Sequence, residues 1–298
     1  MMRKGVIDLG TNTFNLLIAD VLDQHFEVVH SAKNGVALGM GGINQSLITP
    51  DAINRALVAL SDFKHACEAY QVNSIHAFGT SAIRDASNSD EFIKQVKENT
   101  GIQVEVISGA KEAELIYHGV KWTYNFEQPA VIMDIGGGST EFIFSDKNGI
   151  RELISLNIGV SRIFQEFTLN DPLTNEDIEK VENWLAKHTN GFFDHRKEDC
   201  LLGASGSFET FYELMHNKPY PVSFSTQELN VADLSSELER IISSTQKQRD
   251  ENEWIIPIRK KMAPIAAIKT RWIMRKLGVK RVLISPFSLK EGALMYYK

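Results

Sequence analysis

Apolar positions along the chain alternate between short runs and helical stripes, the pattern of an α/β protein. KGVIDLG (Lys4–Gly10) is an apolar run ending in a turn residue, and FNLLIADV (Phe14–Val21) follows closely enough to return as the second strand of a hairpin. Thr49, Pro50 and Asp51 then supply a cap, a first-turn proline and an acid that suits the helix dipole. Ile53, Leu57, Leu60, Lys64 and Cys67 recur every three to four residues, which predicts a helix to about Tyr70. Strands are expected over Ser74–Phe78 and Gln103–Ile107, with a loop at Gly79-Thr80-Ser81 between them. Helices are expected over Ser89–Asn99, stopped by Gly101, and from Ser108-Gly109 to about Trp122. Beyond these the pattern predicts a strand at Ala130–Ile135, a helix at Asn175–His188 and a strand and turn at Leu201–Ser207. A helix over about Pro257–Leu277, a strand Arg281–Ser285 and a last helix Leu289–Tyr297 follow, with loops at Asn217–Thr226 and Gln246–Asn252.

Two segments repeat. VIDLGTNTFNLLI (Val6–Ile18) and IMDIGGGSTEFIF (Ile132–Phe144) align without a gap, placing Asp8 on Asp134, Leu9 on Ile135, Gly10 on Gly136 and Thr13 on Ser139. A hairpin repeated at so long a period implies two similar domains rather than a solenoid. The boundary is expected between residues 119 and 129, dividing the chain into 1–122 and 123–288.

Composition narrows the class. With 43% hydrophobic and 23% charged residues over 298 positions, disorder, collagen and disulfide scaffolds are excluded. Cys67 and Cys200 stand far apart in no metal-ligand spacing, so two buried thiols in a reducing compartment are expected. The glycine motif begins by Gly10 and no apolar run approaches membrane-spanning length, so a cytoplasmic protein without a membrane partner is expected. A net charge of −6 argues against bulk binding to nucleic acid. Yet nine cations and no acid lie between Arg259 and Arg281, either a solvated helix face or a docking surface for a polyanion.

The candidate chemistry sits at the loops. Gly10-Thr11-Asn12-Thr13 and Gly136-Gly137-Gly138-Ser139 can each turn backbone N–H groups onto an anion, because glycine permits both the turn and a close phosphate approach. One such loop is weak evidence; two matched loops, each preceded by an aspartate, point to a phosphate site in a cleft. Asp8 and Asp134 either cap their turns or hold a Mg²⁺ ion that keeps several waters. Gly203-Ala204-Ser205-Gly206 is a third glycine turn, equally suited to touching ligand or to plain strand–helix packing. There is no P-loop motif, the nucleophile-elbow pattern fails at Ser207, and eight scattered histidines show no zinc spacing. Glu112, near a helix start, suits the dipole as a structural acid.

These loops resemble the phosphate motifs of the actin-like ATPase superfamily. FGTSAIRDASNSDEF (Phe78–Phe92), VEVISGAKEAELIYHGV (Val104–Val120) and LLGASGSFETF (Leu201–Phe211) resemble the exopolyphosphatase / guanosine pentaphosphate phosphohydrolase family within it. The resemblance runs through nearly the whole chain. It implies two ribonuclease-H-like domains around a cleft, with the last helix (289–298) packed back on the first domain. It also implies hydrolysis of a terminal phosphate from inorganic polyphosphate or guanosine pentaphosphate, with Mg²⁺ as cofactor, in a homodimer. By motif, Glu112 matches the base that activates water and Arg84 an arginine facing substrate phosphates. Asp134 and Glu141 match acids around the metal, Asp8 the first-loop aspartate, and Gly206 lies in the third loop. Two departures stand out: Lys111 replaces the first of two adjacent glutamates, and Ser285–Gly292 (SPFSLKEG) departs from D-G-x-R-E-G. A phosphotransferase with an acceptor pocket, or a non-catalytic nucleotide- or alarmone-binding relative, would use the same loops.

Overall fold

The computed structural model describes residues 2–22, 25–221 and 223–297. The chain opens as the expected hairpin: β1 (Met2–Leu9) and β2 (Phe14–Val21) pair antiparallel, from Met2 opposite Val21 to Leu9 opposite Phe14. β3 (Phe26–Asn34) adds outside β2. The polar-rich β3 is half-exposed at the sheet edge, so its pattern carries no strong apolar signal. Helix α1 (Pro50–Ala69) begins where predicted, with the Thr49 hydroxyl accepting from the Ala52 amide at 3.3 Å. It buries Ile53, Leu60 and Cys67 against the sheet, while Lys64 sits at the edge and pairs with Glu68.

β4 (Ser74–Gly79) runs parallel to β1 and leads directly into α2 (Ser81–Arg84). A loop was expected there, but Thr80 anchors this short helix by donating its hydroxyl to the Leu9 carbonyl at 3.2 Å. Next come α3 (Ser89–Thr100), ended by Gly101 in the left-handed region, β5 (Val104–Val106) and α4 (Gly109–Val120). The first sheet has the order β3-β2-β1-β4-β5.

The second half rebuilds the plan with β6 (Ala130–Ile135), β7 (Thr140–Asp146) and β8 (Gly149–Leu156), followed by α5 (Val160–Glu166) and α6 (Asn175–Thr189). Then come β9 (Cys200–Gly203), α7 (Gly206–His216), β10 (Gln227–Leu229) and α8 (Val231–Ile242). The expected loop at Gln246–Asn252 is instead helix α9 (Gln246–Glu251), set by a reciprocal cap between Thr245 and Gln248. Helix α10 (Ala263–Leu277) starts six residues later than the pattern predicts. Pro264 has no N–H to give to a preceding turn, so it belongs in a first turn, and Pro257–Arg259 forms a separate 3₁₀ turn. β11 (Arg281–Ile284) and α11 (Leu289–Tyr296) finish the chain, and the second sheet runs β10-β11-β9-β6-β7-β8. Cys67 and Cys200 are both buried free thiols, as expected.

Most of the basic run is paired with acids of neighbouring elements, several of the pairs at the surface. Arg271 lies 2.8 Å from both Glu182 and Glu239, Arg275 2.6 Å from Glu182, Lys280 3.0 Å from Asp199 and Arg281 2.8 Å from Glu228. Lys269 is fully buried and donates to the Thr140 hydroxyl and the Ile158 carbonyl.

Between the sheets, α4 and α11 pack against each other within a shared core that takes Val6 and Leu17 from one sheet and Ile132, Leu202 and Leu283 from the other. Their crossing is backbone on backbone. A β-carbon at Gly292 would overlap the Leu115 carbonyl, and one at Gly119 would overlap the Ser288 carbonyl. Neither obstacle is the end of a flexible side chain, so relief requires moving a helix. Gly292→Ala and Gly119→Ala are each expected to lower the unfolding free energy by about 3 kcal/mol, despite the better helix propensity of alanine. Urea unfolding followed by circular dichroism checks this; a loss within about 0.5 kcal/mol would show that the crossing yields.

Candidate active site

The repeat becomes geometry at the strand ends. In the first hairpin Asp8 stands opposite Asn15, and in the second Asp134 stands opposite Glu141. The turns are shaped alike: a β-carbon at Gly10 would lie 2.8 Å from Thr13 O and one at Gly136 2.9 Å from Ser139 O, and in the first turn the Gly10 amide also donates to Thr13 O at 3.1 Å. The two glycine loops face each other across one cleft. A β-carbon at Gly137 would come within 2.9 Å of the Asn12 side chain, and one at Gly138 within 2.7 Å of the Thr11 hydroxyl, so only glycine allows this approach.

Asp8, Gly10, Thr11, Asn12 and Thr13 line this cleft with Asp134, Gly136, Gly137, Gly138, Ser139 and Glu141. Glu112 and Gly206 join them from the first turns of α4 and α7. Arg84 is not in the lining: its Nη1 donates to Glu112 Oε2 at 2.9 Å and to the Ile107 carbonyl at 3.2 Å, so it stands behind the glutamate. Lys111 also points elsewhere, pairing with Glu114 at 3.0 Å and lying over the Tyr296 ring. The third glycine turn does reach the cleft, and the Ser205 hydroxyl there is buried with no hydrogen-bond partner among the described residues.

Four of the lining residues are acids whose carboxyls are shifted upward. Burial, then the nearby Glu141, pushes the Asp134 carboxyl up to about 8, although Ser288 donates to it at 2.5 Å. Burial raises Asp8 to about 6 against a 3.1 Å hydrogen bond from Asn15. Burial also raises Glu141, which accepts from Ser155 at 2.7 Å. Glu112 is held well above the usual carboxylate range by burial and then by Glu141, with Arg84 opposing. Four acids so placed, Glu112 and Glu141 buried and Asp8 and Asp134 partly so, repel one another unless protonated or joined by a cation.

The lining also holds a basic group that motif reasoning did not assign, close enough for Lys33 and Lys290 to oppose the upward shift of Asp8. Lys33 from β3, Arg259 and Lys290 surround Glu209 of α7, whose carboxylate lies 3.8 Å from Lys33 and 3.7 Å from Arg259. These three cations outweigh the burial of Glu209 and lower its pKa. Arg259 is the one member of the basic run that lines the cleft. Lys290 stands in the segment that departs from D-G-x-R-E-G, where the departure places Ser288 on Asp134.

For carboxyls raised on folding, stability is full below their unfolded values near 4 and is lost as pH rises through their folded values. In the presence of a chelator, Asp134→Asn is therefore expected to raise the melting temperature at pH 8 and to leave it nearly unchanged at pH 4. A stabilisation equal at both pH values would show that Asp134 titrates normally.

Comparison with known proteins places this cleft in a family. The model of the Ppx/GppA phosphatase family matches residues 17–297. Exopolyphosphatase 1 of Mycobacterium leprae is 27% identical over 99% of this chain and 89% of its own length. A bifunctional 3-dehydroquinate synthase/phosphatase of Fusobacterium nucleatum is 30% identical over 98% of this chain, which spans 46% of that protein. The crystal structure of an exopolyphosphatase from Cytophaga hutchinsonii superposes with a TM-score of 0.93 at 33% identity, covering 99% of this chain and 97% of that one. The Aquifex aeolicus PPX-GPPA enzyme gives 0.82 at 26% identity, covering 99% of both chains. With its two sheets, its paired glycine loops and a match over nearly its whole length, the chain belongs to the Ppx/GppA phosphatase family and is a hydrolase of that kind.

Proposed function

We propose that the protein removes the terminal phosphate of inorganic polyphosphate, with guanosine pentaphosphate as the alternative substrate. The presence in one cleft of two glycine loops, a group of acids and a group of cations carries this reading. A chain of phosphates has like charges at regular spacing: its distal groups suit Lys33, Arg259 and Lys290, and its terminal group suits the two glycine loops. Two lobes, 1–122 with the returning segment 289–298 and 123–288, would then close on the ligand from either side.

The acids need a cation among them if an anion is to enter. Among the described residues no three His, Cys, Asp or Glu side chains converge as a ready cage. Mg²⁺ keeps several waters and binds through one or two carboxylates plus substrate phosphates, so it does not require such a cage. Asp134 and Glu141, with Asp8 beside them, are the oxygen donors that would hold it, and the ion would offset the repulsion between acid and phosphate.

This chain's residues do the rest. Backbone N–H groups of both loops hold the terminal phosphate oxygens, and positioning supplies much of the rate. Glu112 takes the proton from the attacking water; its raised pKa makes it a stronger base than an exposed glutamate. Arg84 orients that carboxylate through the 2.9 Å contact.

Glu112→Gln is expected to lower phosphate release roughly 100- to 10,000-fold with folding retained. Release from long-chain polyphosphate, guanosine pentaphosphate and ATP with Mg²⁺, run on both proteins, checks this. Faster Glu112-dependent release from polyphosphate supports the proposal, and a preference for guanosine pentaphosphate selects the alternative. Normal turnover in the variant removes Glu112 from its role, and release only with an added acceptor makes the protein a phosphotransferase.

A further inference from the structure

On one flank of the glycine loops, α5 is stitched to the segment that follows β3. Gln165 donates to the Gly39 carbonyl at 3.0 Å and accepts from the Gly41 amide at 2.8 Å. Asn44 donates to the Arg162 carbonyl at 3.1 Å. Arg162 itself lies at the centre, its side chain 11% exposed, and spends its guanidinium on three separate segments. Its Nε donates to Gly138 O at 2.8 Å, its Nη1 to Ile43 O at 3.2 Å, and its Nη2 to Asp85 Oδ2. The other oxygen of Asp85 lies 3.6 Å from Nε of Arg84, whose Nη1 reaches Glu112. Arg162 and Asp85 are both absent from the cleft lining, and no motif singled out Arg162.

We propose that Arg162 is a positioning residue for the hydrolytic site. It holds the second glycine loop through Gly138 and, through Asp85 and Arg84, the orientation of Glu112. This rests on the function proposed above. Asp85 sits between two guanidinium groups, so each draws less of its charge. Without Arg162, Asp85 has Arg84 as its nearest cation, and competes with Glu112 for it. A lysine keeps the charge but cannot reach three acceptors in one plane, so it does not substitute for the arginine.

The test is a kinetic cycle of Arg162→Gln, Asp85→Asn and the double variant, with Arg162→Lys alongside, on phosphate release from polyphosphate. Arg162→Gln is expected to lower kcat roughly 10- to 100-fold with a smaller rise in KM, because the base is misplaced and the second glycine loop is loosened but keeps its own backbone donors. Arg162→Lys stays impaired. The double variant is no slower than Arg162→Gln, since removing the charge of Asp85 frees Arg84 for Glu112. Losses that multiply in the double variant, a change confined to KM, or full activity in Arg162→Lys overturns the proposal. Amide exchange over residues 39–46 and 136–141 separates it from the activity itself. Should the wild type release no phosphate, the hydrolase reading fails on its own, and exchange then decides. Faster exchange of both segments in Arg162→Gln supports the positioning role, and unchanged exchange overturns it.

Discussion

Two helices that touch through bare backbone hold this molecule together. Gly119 on α4 and Gly292 on α11 bring the helices closer than any side chain would allow, at the place where both sheets contribute to one core. The consequence reaches the cleft along both helices. The first turn of α4 carries Glu112, and the residues at the start of α11 are Ser288, bonded to Asp134, and Lys290, which lines the cleft. A wider spacing would shift the candidate base relative to Ser288 and Lys290.

Charge is the second organising constraint. Four carboxylates line one cleft, two buried and two partly so, and loss of hydration is the largest cause of every upward shift among them. The fold accepts this cost where a ligand is to bring a cation, and offsets it elsewhere. Most of the basic run from Arg259 to Arg281 is tied to acids of α6, α8 and neighbouring segments. Its exposed charge is therefore largely spent within the protein, while Arg259 alone of the nine turns into the cleft.

The hairpins at both phosphate loops and the helices α1, α3, α4 and α6 were legible because each carries its signal locally: an apolar run, a cap or a stop. β3 is polar and half-exposed, and the strongly polar α9 declares itself only through the Thr245–Gln248 cap, so both escaped pattern reading. The site divides in the same way. Its acids and glycines sit beside one another in the repeats, whereas Lys33, Arg259 and Lys290 come from segments far apart and meet only after folding. A lone lysine on an edge strand has no motif to announce it. Arg162 is of the same kind, since its three acceptors belong to segments that no local pattern connects.

The hairpin repeat has a consequence of its own. Had both halves kept the same pair at the strand ends, the two hairpins would present like groups to a ligand. Asn15 stands where Glu141 stands in the other half, so one loop has a single carboxylate beside an amide and the other has two carboxylates. That difference makes the duplicated hairpins unlike, and the residues the repeat does not copy, Glu112, Lys33, Arg259 and Lys290, add to it. It gives the cleft a heading, so that an end-on ligand with no direction of its own acquires one on entering.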